Sequence, residues 1–246
     1  VNIVGLLRVK NEARWIDRVL RSITGICSSV VVFDDHSTDN TRYRAVSAGP
    51  DVIVKPSPFP EGEIDEARDK DCLLQAAFHH GVLSVGDWAL MIDGDEELHQ
   101  ADGDLIRSAA SSFGSHSVFS LQVLYLWNEP DLVRTDGVYG TFARPSLFRV
   151  RREDHTFRRT GNGGNFHCGN IPSDYLYEPK GTLSARLLHW GYFDEELRRR
   201  KFEFYNRIDP DNTVEDRYRH ITQGDPGGAS AKSRLKHAGP LRLARI

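Results

Sequence analysis

Two short apolar runs, Val30-Val31-Val32-Phe33 and Trp88-Ala89-Leu90-Met91-Ile92, each end abruptly in acids. The first runs into Asp34-Asp35-His36-Ser37-Thr38-Asp39 and the second into Asp93-Gly94-Asp95-Glu96-Glu97. Unbroken apolar runs of this length are typical of strands covered on both faces, and such strands belong to parallel sheets flanked by helices. The intervening segments agree. Ile3 to Leu7 reads as a first strand, and Trp15, Ile16, Val19, Leu20 and Ile23 form a helical stripe that stops at Gly25. Ser37, Thr38 and Asp39 read as caps of a short helix through Ala45, residues 51–54 as a third strand and 64–79 as a helix. In an open parallel sheet ligands bind outside the carboxyl ends of the strands. The pattern therefore predicts two acidic strand tips on one ligand-binding edge.

Beyond residue 100 the pattern changes. Strand patterns at 118–127, 141–150 and 183–190 are separated by polar, glycine-containing loops, and a charged helix is predicted over 194–208. The expectation is a single α/β domain with a mostly parallel central sheet flanked by helices. Its first part, about 1–100, would be the ligand-binding half, 101–223 a mixed α+β half, and 224–246 a flexible tail or lid. A chain of 246 residues, 39% hydrophobic and 27% charged, can bury one core of this kind. Its net charge of -3 supplies no whole-molecule positive field, so non-specific nucleic-acid binding is not expected. Three widely spaced cysteines, Cys27, Cys72 and Cys168, build neither a disulfide framework nor a cysteine-rich zinc site. No run approaches the roughly 20 apolar residues of a membrane span. Val1 to Leu7 is too short for a secretory leader, so a cytoplasmic location is expected.

Asp93-Gly94-Asp95 carries the clearest chemistry. Two carboxylates one residue apart on a turn can converge on a divalent cation, and oxygen ligation suits Mg²⁺ or Mn²⁺ shared with a diphosphate. A solvated acidic turn is the alternative. Asp34 and Asp35 can accept hydrogen bonds from a ligand, with turn capping as the alternative.

The order Arg8-Val9-Lys10-Asn11-Glu12, then Asp34-Asp35-His36-Ser37-Thr38-Asp39, then, about fifty residues on, Ile92-Asp93-Gly94-Asp95-Glu96, resembles the family 2 glycosyltransferases of GT-A fold. The resemblance covers about the first hundred residues, which would be the nucleotide-sugar-binding half, and leaves about 101–223 as the acceptor-binding half. It implies a nucleotide-diphosphate sugar donor, usually a UDP-sugar, and an acceptor hydroxyl. It points to Asn11, Glu12 and Asp35 as holding the nucleoside, with Asp34 supporting the loop. Arg68 matches an Ala-Arg-Asn sequence facing the nucleotide, with Asp69 in place of the Asn and a helix-surface ion pair as the alternative reading. Asp93 would face the ribose or a metal-bound water, and Asp95 would ligate Mn²⁺ or Mg²⁺. His189, in Leu187-Leu188-His189-Trp190-Gly191-Tyr192, would close the metal site, unless it is structural. Lys201 would reach phosphate, although the basic run Arg198-Arg199-Arg200-Lys201 reads first as a solvated helix face. His167 falls near the acceptor, followed by Cys168 where the family often has Glu. Asp174 is then the favoured general base over Glu129, Asp131 and Asp136. Trp127, with Tyr125 and Tyr139, offers aromatic faces to a sugar, or packs in the core.

Two other classes fit less well. A nucleotidyl transferase would carry a glycine-rich phosphate loop, which Gly5-Leu6-Leu7-Arg8 is not. A non-catalytic nucleotide-sugar or glycan binding module would account for Cys168.

Overall fold

The computed structural model describes residues 1–112, 114, 116–158, 167–211, 218–222 and 241–246. Strands and helices alternate through the first half: β1 (Ile3–Val9), α1 (Ile16–Thr24), β2 (Ser29–Asp34), α2 (Thr41–Ser47), β3 (Val52–Pro56), α3 (Glu66–His79) and β4 (Trp88–Asp93). The strands lie in the order β4-β1-β2-β3, all parallel, with Arg8 opposite both Phe33 and Asp93. Alternate side chains go to opposite faces. Leu7, Val30, Val32, Leu90 and Ile92 pack with Ile16, Val19, Leu20 and Ile23 of α1, while Leu6, Val31, Phe33, Ala89 and Met91 pack with Ala67, Leu73, Leu74 and Ala77 of α3. Both faces are covered, which is why the runs are unbroken rather than alternating.

The second half adds β5 (Glu96–Leu98), α4 (Gly103–Ser111), β6 (Val118–Trp127), β7 (Glu129–Arg134), β8 (Ala143–Arg149), β9 (Gly181–His189), α5 (Glu195–Ile208), α6 (Arg219–Thr222) and β10 (Leu243–Arg245). The sheet continues as β4-β8-β6-β7-β10 with antiparallel neighbours, so the parallel half gives way to a mixed one. β9 pairs parallel with β6 and antiparallel with β5, placing His189 opposite Glu96 and next to Tyr125. This hairpin-like closure fixes the site, yet β5 is only Glu-Glu-Leu and has no strand periodicity of its own. β7, with a proline and three charged residues in Glu129-Pro130-Asp131-Leu132-Val133-Arg134, was likewise not expected as a strand.

The expected tail divides. Residues 224–240 lie outside the described residues, whereas Leu243–Arg245 form β10 against β7. Asp194 caps α5 by accepting from Leu197 N at 2.9 Å, fixing the helix start where the sequence predicts it. No helix among the described residues is long and apolar enough to cross a membrane.

Candidate active site

The carboxyl ends of β1, β2 and β4 bring the predicted motifs to one edge. Asn11 adopts a left-handed backbone (φ 57°), a conformation Asn tolerates, and turns the chain out of β1. Its Oδ1 accepts from Thr38 N at 2.8 Å, its own N–H donates to Ser37 Oγ at 2.9 Å, and Glu12 N–H donates to Thr41 Oγ1 at 2.7 Å. Ser37 and Thr38 therefore fasten the two loops together rather than cap α2. Asp39 alone of the three serves the helix start, accepting from Thr41 N at 2.9 Å and from Ala13 N at 3.1 Å.

Asp35 is buried and accepts from Arg8 at 2.7 Å, with Lys10 Nζ at 3.4 Å. Arg8 also donates to Asp69 Oδ2 at 2.8 Å, and Asp69 is completely buried. Asp69 is thus the counter-ion of a strand arginine. Arg68 lies with its guanidinium 3.7 Å from the Phe59 ring centre and donates to Glu63 at 2.8 Å, so it makes the ion pair of the alternative reading. Asp34 is buried, and its Oδ1 has no hydrogen-bond partner among the described residues.

The second acidic tip is more crowded. A Cβ on Gly94 would lie 2.7 Å from Val9 Cγ1 and 3.0 Å from Glu12 Cγ, so glycine lets the turn close onto Glu12. Arg144, from β8, donates to Asp93 Oδ2 at 2.9 Å and to Glu96, which also accepts from Asp93 N at 3.0 Å. Burial opposes ionisation of Asp93, but Arg144 and then Lys70 hold its carboxyl well below the usual range. Glu96 goes the other way: burial pushes its carboxyl up to about 7 against the pull of Arg144, with Asp93 and Asp95 adding to the rise. Glu12 is also raised well above the ordinary range, by burial first and then by Asp95.

Asp95 meets Lys201 and His189. Lys201 Nζ donates to Asp95 Oδ2 at 2.7 Å, and His189 Nε2 stands 3.8 Å from the same oxygen. A Cβ on Gly191 would lie 2.2 Å from both Asp95 Oδ2 and Lys201 Nζ and 2.6 Å from His189 Cε1. The three side chains meet over a bare α-carbon. The turn is anchored from below by Trp190, whose N–H donates to Asp95 O at 2.8 Å and whose ring stacks on Trp15 at 4.6 Å. Burial pushes the His189 imidazole down to about 4, more than Asp95 raises it, and its Nδ1 is buried without a partner among the described residues.

These donors, as arranged, do not fit Mn²⁺ or Mg²⁺. Asp95 and His189 do stand together, but Asp95 Oδ2 already holds an ammonium and Asp93 Oδ2 a guanidinium. Among the described residues no three Asp, Glu, His or Cys groups converge as a ligand set. An ion at Asp95 would have to displace Lys201.

The acceptor-side expectations fare differently. His167 packs against Tyr205 of α5 with ring centres 5.3 Å apart, and its surroundings include Glu66, Lys70, Asp93 and Lys201. Lys70 ties this segment down, donating to Cys168 O at 3.0 Å and Asn170 Oδ1 at 2.9 Å. Trp127 is 1% exposed, with the Arg198 and Arg134 guanidiniums 3.9 and 5.0 Å from its ring centre. It offers no face to a sugar, which corrects the expectation. Asp174, the favoured general base, pairs with His155 at 2.9 Å and has Arg152 at 3.6 Å. Arg144 was missed, Arg8, Asp69 and Glu96 were given no role, and Lys201 was read first as part of a solvated helix face. A lone arginine inside the apolar strand Ile3–Val9 was the one available signal.

The crystal structure of TarS 1-349 from S. aureus matches 91% of this chain and 70% of its own, at a TM-score of 0.50 and 14% identity. The chain has a GT-A-like fold. No family model matches it. A Rickettsia prowazekii protein named an uncharacterized glycosyltransferase is 33% identical over 117 residues, 48% of this chain. This chain spans about a third of that relative, 36% of its length. Glucosyl-3-phosphoglycerate synthase from Mycobacterium tuberculosis, crystallised with Mn²⁺ and UDP-glucose, matches 50% of this chain and 43% of its own at 20% identity. Its TM-score of 0.37 is too low to bear on ligands here. The GT-A-like architecture accounts for the site's location, at the carboxyl edge of the parallel strands.

Proposed function

We propose that this chain is a family 2-type glycosyltransferase that moves a sugar from a nucleoside-diphosphate donor, with a UDP-sugar the first choice, to an acceptor hydroxyl. The observation that carries the reading is the convergence of Asn11, Glu12, Asp35, Asp93 and Asp95 on one strand edge of a GT-A-like sheet. The relative named a glycosyltransferase supports it.

In this reading the interlocked Asn11 and Ser37–Thr38 loops, with Asp35 and Arg68, frame the nucleoside. Asp93, kept ionised by Arg144, accepts from donor hydroxyls. Asp95 and His189, 3.8 Å apart, mark the diphosphate end. The neutral His167 imidazole lines the acceptor side beside Tyr205. Burial in the closed turn strengthens each of these interactions relative to water.

The test is release of nucleoside diphosphate from a panel of sugar nucleotides, with and without candidate acceptors, in Mn²⁺, Mg²⁺ and EDTA. Release that falls at least about 100-fold in Asp93→Asn and Asp95→Asn is expected. Unchanged release in both variants, or no nucleotide binding by the wild type, would overturn the reading.

A further inference from the structure

The basic run on α5 does not behave as one face. Arg199 and Arg200 are exposed and pair along the helix with Glu203 and Glu196. Lys201, one residue on and so about 100° round the helix, turns inward to Asp95. It sits 5.4 Å from the Tyr192 ring centre, with its Nζ in space that a Cβ on Gly191 would fill.

A diphosphate approaching this edge meets Glu12, Asp93, Asp95 and Glu96, and like charges repel unless cations intervene. Two cations from outside the parallel half point into the cluster. Arg144 gives both terminal nitrogens to Asp93 and Glu96. Lys201 has three N–H donors, and among the described residues Asp95 accepts from it once. Its side chain is 28% exposed, so the ammonium is reachable from solvent beside Asp95.

We propose that Lys201 binds the diphosphate of the donor directly, with Asp95 and the bare Gly191 as its seat. The inference rests on the nucleotide-sugar reading above. It assigns Asp95 to positioning Lys201 whenever no metal is bound, and it makes Lys201 and a divalent ion competitors for the same carboxylate oxygen.

The experiment is calorimetric titration of the whole chain in EDTA with UDP, GDP, CDP and ADP, and with the matching nucleosides, for the wild type, Lys201→Met and Lys201→Arg. For the diphosphate that the wild type binds, Lys201→Met is expected to lose about tenfold or more in affinity while keeping nucleoside affinity within about twofold. Lys201→Arg is expected to retain most of the diphosphate affinity. Mn²⁺ titrated alone is expected to bind Lys201→Met more tightly than wild type, and the gain to vanish in Lys201→Met with Asp95→Asn. Equal diphosphate affinity in Lys201→Met and wild type overturns this proposal and leaves the donor reading standing. So does equal loss of diphosphate and nucleoside, which marks a purely structural pair, and so does wild-type binding seen only with Mn²⁺. Failure of the wild type to bind any of these ligands under either condition overturns both.

Discussion

Replacing Gly191 by alanine is the sharpest test of the site's geometry. The new methyl would stand 2.2 Å from Asp95 Oδ2 and from Lys201 Nζ, far inside contact distance, and 2.6 Å from His189 Cε1. Lysine is flexible and can withdraw, but Asp95 is short, and its backbone is tied to Trp190. The ion pair must therefore part. Overpacking of a buried site costs about 1–3 kcal/mol, which for a chain of this size lowers Tm by about 2–12 °C. Scanning calorimetry reads the stability, and nucleoside-diphosphate titration in EDTA reads the parted pair. Gly25→Ala is the matched control, since its Cβ would meet nothing within 4 Å and its φ of -75° suits alanine. That control should be neutral or stabilising by up to about 1 kcal/mol. If Gly191→Ala matched Gly25→Ala in both measurements, the convergence of Asp95, Lys201 and His189 over Gly191 would be wrong.

Arg8→Met should destabilise the chain by about 3 kcal/mol in urea unfolding, because it strips buried Asp35 and Asp69 of their shared partner while Lys10 and Arg68 compensate in part; a loss under about 1 kcal/mol would contradict that pairing. His220 is 8% exposed and pushed down to about 4 by burial, then by Arg134. Its folded form resists protonation, so stability is fully present above about pH 6.5 and is lost as pH falls towards 4, by about 3 kcal/mol. His220→Gln should flatten that part of the stability curve, and an unchanged slope would count against the burial. Burial raises the Cys168 thiol to about 11, so it is not a thiolate at neutral pH. Cys168→Ser should keep wild-type turnover, and loss of turnover cured only by restoring the thiol would reverse that conclusion.

The parallel half was legible because its information is local. Val30–Phe33 and Trp88–Ile92 announce doubly covered strands, and acids at their ends fall on one edge by topology alone. What lies beside those acids is not local. Asp95 finds Lys201 across 106 residues, Asp93 finds Arg144 across 51, and Arg8 finds Asp69 across 61. No periodicity encodes such pairings. Composition even misdirects: Arg198 to Lys201 reads as one solvated run, yet Arg198 is buried over Trp127 and Lys201 faces Asp95. Trp127 misled for the same reason, since an aromatic at a strand end looks alike whether sugar or guanidinium covers it.

Those long-range pairs also change how the two halves share the work. Reading from sequence assigns the nucleotide to the first hundred residues and the acceptor to the rest. The first half contributes Glu12, Asp93, Asp95 and Glu96, an excess of carboxylates that repels a diphosphate. Arg144 and Lys201, which offset that charge, come from β8 and α5 in the second half. Burial, which raises the Glu12 and Glu96 carboxyls, works in the same direction. On the proposed reading, a donor site usable by an anion is complete where β9 and α5 fold back onto the β4–β5 turn. Any change that loosens Gly191 or the β5–β9 pairing should therefore weaken donor diphosphate binding before it disturbs the nucleoside loops, which Asn11, Ser37 and Thr38 hold independently.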